Sequence, residues 1–144
     1  MDQDYTLFTA PGSGGMIVEA AFGVAGIPVK AVHVDWDDLG WQSKTLMEYN
    51  PLGQLPTLLL PDGRIMTESA AIILHLADRN PGCPLVPPPD HPSRNEFLRW
   101  LVFLVSAVYP TFTYGDVPKR WVEGNEESAS RLRRGTDEHR MTLY

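Results

Sequence analysis

Pro56 constrains this chain more than any other residue. It stands between the loop Asn50-Pro51-Leu52-Gly53-Gln54-Leu55 and the apolar run Thr57-Leu58-Leu59-Leu60. A proline has no N–H to give to a sheet ladder, so within a strand it is confined to an edge or to the first residue. Thr57 to Leu60 therefore reads as a buried strand that begins at the proline. Two geometries are open for the bond before it. A trans Leu55-Pro56 bond makes Pro56 a plain strand entrance. A cis bond turns the main-chain N–H and C=O of Leu55 outward, where an extended peptide can pair with them antiparallel.

The residues that follow bear on this choice. Pro61-Asp62-Gly63 is a turn signal, and Arg64-Ile65-Met66-Thr67 reads as a second short strand, so the two runs form a hairpin. Glu68 and Ser69 then open a helix whose residues Ala70, Ile73, Leu74 and Ala77 follow the i, i+3, i+4, i+7 pattern. A helix N-terminus offers free N–H groups and the positive end of its dipole, which favours a ligand carboxylate, with the Ser69 hydroxyl as a further donor. Glu68 is placed to take an α-ammonium group. Simple capping of the helix by Thr67 or Ser69 is the competing reading.

At the start of the chain, Tyr5-Thr6-Leu7-Phe8 is a β-rich run that ends at Ala10-Pro11-Gly12. Ser13 is a helix N-cap candidate, with Met16, Ile17, Ala20, Ala21 and Val24 on one helical face. Gly26-Ile27-Pro28 closes that helix, and Val29 to Val34 reads as the next strand. A βαβ unit followed by the hairpin and its helix fits the β-α-β-α-β-β-α order expected of an α/β thioredoxin-like fold, with a right-handed crossover.

The motifs Pro11-Gly12-Ser13, Asn50 to Leu59 and Glu68-Ser69 resemble those of the soluble, cytosolic-type glutathione S-transferases, over nearly all of the first eighty residues. The resemblance implies a glutathione-binding domain at 1–80. The residue before the cis proline would bond the cysteinyl backbone of glutathione, and the acid and serine of the third helix would hold its γ-glutamyl end. Those roles fall on Leu55, beside Pro56, and on Glu68 and Ser69, while Gln54 resembles a family glutamine that reaches toward the peptide.

Catalysis in such a protein acts on the thiol of glutathione, which at an ordinary pKa of about 8.5 is mostly protonated at neutral pH. A helix N-terminus and a hydroxyl donor both favour the thiolate, and at Ser13 the two coincide. Ser13 resembles the catalytic residue of the serine type. The same Pro-Gly turn also resembles the bacterial cysteine (beta-like) type, whose cysteine would fall on Gly14. Tyr5, Thr9 and the backbone N–H groups of Gly14 and Gly15 are the other candidate donors to the sulfur, and a plain N-cap is the competing role for Ser13.

Charge and composition narrow the partners. Residues 1–80 hold four Lys and Arg against ten Asp and Glu, and residues 81–144 hold eight of each. No basic stripe attracts phosphate backbones, so nucleic acid is not expected as a partner. The acidic group Asp35, Asp37 and Asp38, with Trp36 and Trp41, reads as a solvated loop, with a place flanking the site as the alternative. Cys83 is the single cysteine, which excludes an internal disulfide and a CxxC exchanger. His33, His75, His91 and His139 lack metal-ligand spacing, so no metal is expected. Asp2 and Asp4 replace the basic start of a secretory signal, consistent with a cytoplasmic protein.

Six of the thirteen prolines fall at 81–92, so 81–91 reads as a semi-rigid linker and 92–144 as the first two helices of an incomplete all-α domain. Phe97 to Tyr109 contains one charge, Arg99, and is apolar on two faces. At thirteen residues it is too short to cross a bilayer, which takes about 20, and it reads instead as a doubly buried helix. The resemblance implies that this helix joins a two-fold homodimer interface. Glu126 to Tyr144 reads as a further helix with Ala129, Leu132, Met141 and Leu143 to bury. Family members continue with more helices, which wall the pocket for the small electrophile. The expected function is a transferase that joins glutathione to that electrophile. The alternatives are a non-catalytic binding module and a glutathione-dependent reductase or isomerase.

Overall fold

The computed structural model describes residues 4–34 and 43–144. The acidic group at 35–38 and Trp41 lie outside the described residues. The chain divides into two units, Met1–Arg94 and Asn95–Tyr144.

The first unit follows the expected β-α-β-α-β-β-α order. Its elements are β1 (Tyr5–Thr9), α1 (Gly15–Ala25), β2 (Val29–His33), α2 (Lys44–Tyr49), β3 (Thr57–Leu59), β4 (Ile65–Thr67) and α3 (Ser69–Arg79). The strands form one sheet in the order β2-β1-β3-β4, parallel between β1 and β2 and antiparallel elsewhere. Leu7, Phe22, Leu46, Leu58, Ile72 and Leu76 are fully buried. Gly26 ends α1 in the left-handed region, at φ 66°, and its N–H donates to Phe22 O and Gly23 O. Gly63 sits at φ 83° in the β3–β4 turn, where its N–H donates to Leu60 O at 2.9 Å.

The inward faces of two helices differ from the periodicity reading. In α1 the buried residues are Gly15, Val18, Ala21 and Phe22, while Met16 and Val24 are exposed. In α3 they are Ser69, Ile72, Ile73 and Leu76. Both helices carry apolar residues on more than one face, so spacing alone does not select the side that meets the sheet.

The second unit contains most of α4 (Arg94–Phe103), a π-helical turn (Leu104–Val108), α5 (Tyr109–Asp116), a 3₁₀ turn (Pro118–Arg120) and α6 (Glu126–Thr142). The π turn has a local cause in Pro110, which has no N–H to donate to the Ser106 carbonyl. The ladder shifts by one residue instead, and the Tyr109 N–H donates to Leu104 O. The helical run therefore continues to Asp116. It spans 23 residues, with mean hydropathy 1.2 over its most apolar stretch, long and apolar enough to cross a membrane by length and composition. This corrects the length argument made from thirteen residues, although core helices of soluble proteins meet the same test. The chain's own contacts bury Leu101 and Val108 but leave Trp100 and Val102 about half exposed.

Polar contacts hold α6 against α5 where apolar residues are few. Arg133 donates from Nε to Gly115 O and from Nη2 to Asp116 O, both at 3.0 Å, which caps the C-terminus of α5. Arg140 donates from Nε to Thr111 Oγ1 at 3.0 Å, and its guanidinium lies 3.8 Å from the Phe112 ring centroid. Met141, expected to be buried, is exposed. Arg133→Ala is expected to lower the unfolding free energy by about 1 kcal/mol in denaturant titration followed by circular dichroism. An unchanged midpoint would show that solvent replaces both bonds at no cost.

Candidate functional site

The register of the sheet assembles the candidate residues at one end. Thr57 pairs with Thr67 across β3 and β4, and with Phe8 across β3 and β1. The residues next beyond these pairs, Pro56 before β3, Glu68 after β4 and Thr9 at the end of β1, fall at the same end of the sheet. Three segments therefore meet there: the turn ending at Pro56, the Glu68-Ser69 corner, and the loop from Thr9 to Ser13.

The Leu55-Pro56 bond is cis. Of the two geometries open in the sequence, the one that frees the Leu55 main chain is present. The Leu55 side chain packs against the cluster of Phe8, Val34 and Leu46. Its N–H and C=O take no hydrogen bond among the described residues. Gln54 is exposed and Pro56 is buried.

The turn is tied from beneath by two buried polar residues that the sequence reading passed over. Asn50 Nδ2 donates to Gln54 O at 3.1 Å and to Thr57 Oγ1 at 3.0 Å, and Thr57 Oγ1 donates to Gln54 O at 2.8 Å. Asn50 Oδ1 accepts from the Leu52 N–H at 3.1 Å. An Asn in the motif and a Thr at a strand start were the available signals.

Glu68 has φ 67° and ψ 108°, and it is the one non-glycine residue with positive φ among the described residues. Such backbone is costly for a side chain with a Cβ, and it concentrates at ligand sites. Glu68 is exposed, whereas Ser69 is buried. The first turn of α3 receives no side-chain cap, and the Ser69 hydroxyl makes no hydrogen bond among the described residues. Capping by Thr67 or Ser69, the competing reading, is absent from this corner.

Ser13 Oγ accepts from the Ala10 N–H at 3.2 Å and from the Gly15 N–H at 3.0 Å. Gly14 is the N-cap of α1, and Gly15 is its first residue. The N–H of Gly15 is therefore engaged by Ser13, which removes it from the candidate sulfur donors. Thr9 is fully buried and its Oγ1 has no partner, so it presents no accessible donor. Tyr5 lies at the opposite end of β1, with its ring 5.3 Å from that of Phe22 in an edge contact, which is a packing role. Ser13 and the backbone of Gly14 remain.

His75 on α3 is pulled below the usual imidazole range, mainly by burial and further by Arg79 and Arg64. No group of three or more His, Cys, Asp or Glu side chains among the described residues could hold a metal. Open grooves of about 420 and 610 Å³ are lined by residues of the second unit, among them Val122, Arg131 and Glu126. None of the candidate residues lines them.

The family model described as glutathione S-transferase, N-terminal domain, matches residues 17–79. The chain is 41% identical over 139 residues to the uncharacterized GST-like protein YncG of Escherichia coli K12, covering 96% of this chain and 65% of that protein's length. A glutathione transferase homolog from Sulfitobacter, solved with bound glutathione, matches in fold with a TM-score of 0.87 at 24% identity, over 99% of this chain and 67% of that one. A sphingomonad glutathione S-transferase complexed with glutathione matches with a TM-score of 0.71 at 29% identity, over 96% and 67% of the two chains.

Proposed function

This chain is a protein of the glutathione S-transferase type, and on that premise we propose that it binds glutathione as an extended peptide and activates its thiol toward a small electrophile. The observation that carries the reading is the meeting of three segments at one sheet end, with an uncapped helix N-terminus and the free Ser69 hydroxyl opposite an unpaired Leu55 main chain. The α3 N–H groups and Ser69 take the γ-glutamyl carboxylate, and Glu68 takes the ammonium group. Leu55 pairs with the cysteinyl backbone, and Gln54 reaches toward the peptide. Ser13 donates to the sulfur. The protein acts in the cytoplasm as a homodimer, built on the apolar helical run Arg94–Asp116, without a metal, a membrane or nucleic acid.

Ser69→Ala is expected to weaken glutathione binding about tenfold, the loss of a hydrogen bond to a charged group. Calorimetric titration checks it. No heat from the parent protein at saturating glutathione would sink the whole reading. A second reading, a glutathione-binding module without catalysis, is favoured by the engagement of Ser13 Oγ with two backbone N–H groups, as a plain structural cap would be.

A further inference from the structure

We propose that Asn50 and Thr57 are positioning residues that aim the Leu55 N–H at the bound peptide, an inference that rests on glutathione lying along that backbone. The Gln54 carbonyl and the Leu55 N–H belong to one planar unit, and in a trans peptide they point in opposite directions. The Gln54-Leu55 bond is trans, since the one cis bond among the described residues is the next, Leu55-Pro56. Whatever holds the Gln54 oxygen therefore fixes the direction of the Leu55 N–H.

Two donors hold it. Thr57 Oγ1 and Asn50 Nδ2 both donate to Gln54 O, at 2.8 and 3.1 Å, and the Asn50 amide also donates to Thr57 Oγ1. Thr57 is fully buried and Asn50 is 5% exposed, so water does not compete for these bonds. Asn50 is fixed in turn. Its N–H donates to Leu46 O at the end of α2, its carbonyl accepts from Gly53, and its Oδ1 accepts from Leu52. Every polar group of Asn50 has a partner. With the Gln54 oxygen drawn under the turn, the Leu55 N–H faces away from the network and has no partner among the described residues. Neither Asn50 nor Thr57 touches the ligand in this scheme.

Thr57→Val keeps the side-chain shape and removes the hydroxyl, and Thr57→Ser restores it. Glutathione titrations of the parent and of both variants are followed by calorimetry and by amide resonances of Leu55 and Ser69. Thr57→Val is expected to weaken binding about tenfold, to lose the ligand-induced shift at Leu55 and to keep the one at Ser69. Thr57→Ser regains both affinity and the Leu55 shift. Asn50→Asp, which removes both amide donors, repeats the Thr57→Val result. A role confined to stability would lower the melting temperature but leave the affinity and the Leu55 shift of the folded protein intact. That outcome overturns the positioning role alone. Failure of the parent to bind glutathione overturns it together with the reading on which it rests.

Discussion

Gly15→Ala is expected to cost the first unit about 2–3 kcal/mol, as over-packing of a buried contact does. A Cβ built at Gly15 would lie 2.2 Å from Thr9 Oγ1 and 2.8 Å from Thr9 Cβ. Thr9 is fully buried in β1 and has no room to withdraw. Gly23, in the same helix, has nothing within 4 Å of its Cβ position apart from its chain neighbours and the helix's own backbone. Gly23→Ala is therefore expected to stabilise by about 0.5–1 kcal/mol through helix propensity alone. The pair separates a packing cost from a helix-forming gain within one element. Thr9→Ala added to Gly15→Ala recovers only part of the loss, because the closer atom is removed and the Cβ remains. Thermal and denaturant unfolding report these differences, and stabilisation by both glycine replacements would refute the close approach.

The consequence reaches the candidate site. Gly15 lets the first turn of α1 lie against the last residue of β1, and β1 ends where β3 begins and β4 closes. The positive end of α1 is thus brought to the same end of the sheet as Leu55 and Ser69. A larger residue at 15 would move Ser13 with the helix, since Ser13 Oγ accepts from the Gly15 N–H.

What the sequence disclosed follows from how local its signals are. Proline and glycine act on their own backbone, so Pro56, Pro61-Asp62-Gly63 and Gly26 marked turns and boundaries that the structure contains. The strands, the hairpin and the first and third helices were legible for the same reason, whereas α2 (Lys44–Tyr49) was not read from its residues. Helix faces were harder to read. In α1, Met16, Ile17, Val18, Ala20, Ala21 and Phe22 are all apolar, and only contact with the sheet selects Val18, Ala21 and Phe22. The network of Asn50 and Thr57 was hidden because its acceptor is a backbone carbonyl, which carries no residue identity. Gly15 read as a backbone donor, yet its role depends on Thr9 across the strand-helix contact. The arginine clasp on α6 was equally silent, since Arg133 binds carbonyls of α5 that lie far away in sequence.

Ser13→Ala is the variant expected to change chemistry most. A serine hydroxyl has two acceptor lone pairs and one proton. Ser13 Oγ already accepts from Ala10 and Gly15, so the one further bond it can make is as a donor. A donor is what a thiolate needs, and loss of a placed donor to a developing anion costs about 10²–10³ in rate. Conjugation of glutathione to a small electrophile should fall by that factor in Ser13→Ala, while glutathione affinity stays within about threefold because the γ-glutamyl contacts are untouched. The bound thiol should titrate below its ordinary pKa of about 8.5 in the parent and return toward it in the variant. The thiolate is thus present at neutral pH in the parent and appears only as pH rises in Ser13→Ala. Stability also falls, since Ala10 and Gly15 lose their acceptor, so rates are compared well below the variant's melting temperature. Identical ultraviolet titrations of the bound thiolate in both proteins would reduce Ser13 to a structural cap and leave the Gly14 backbone as the remaining donor.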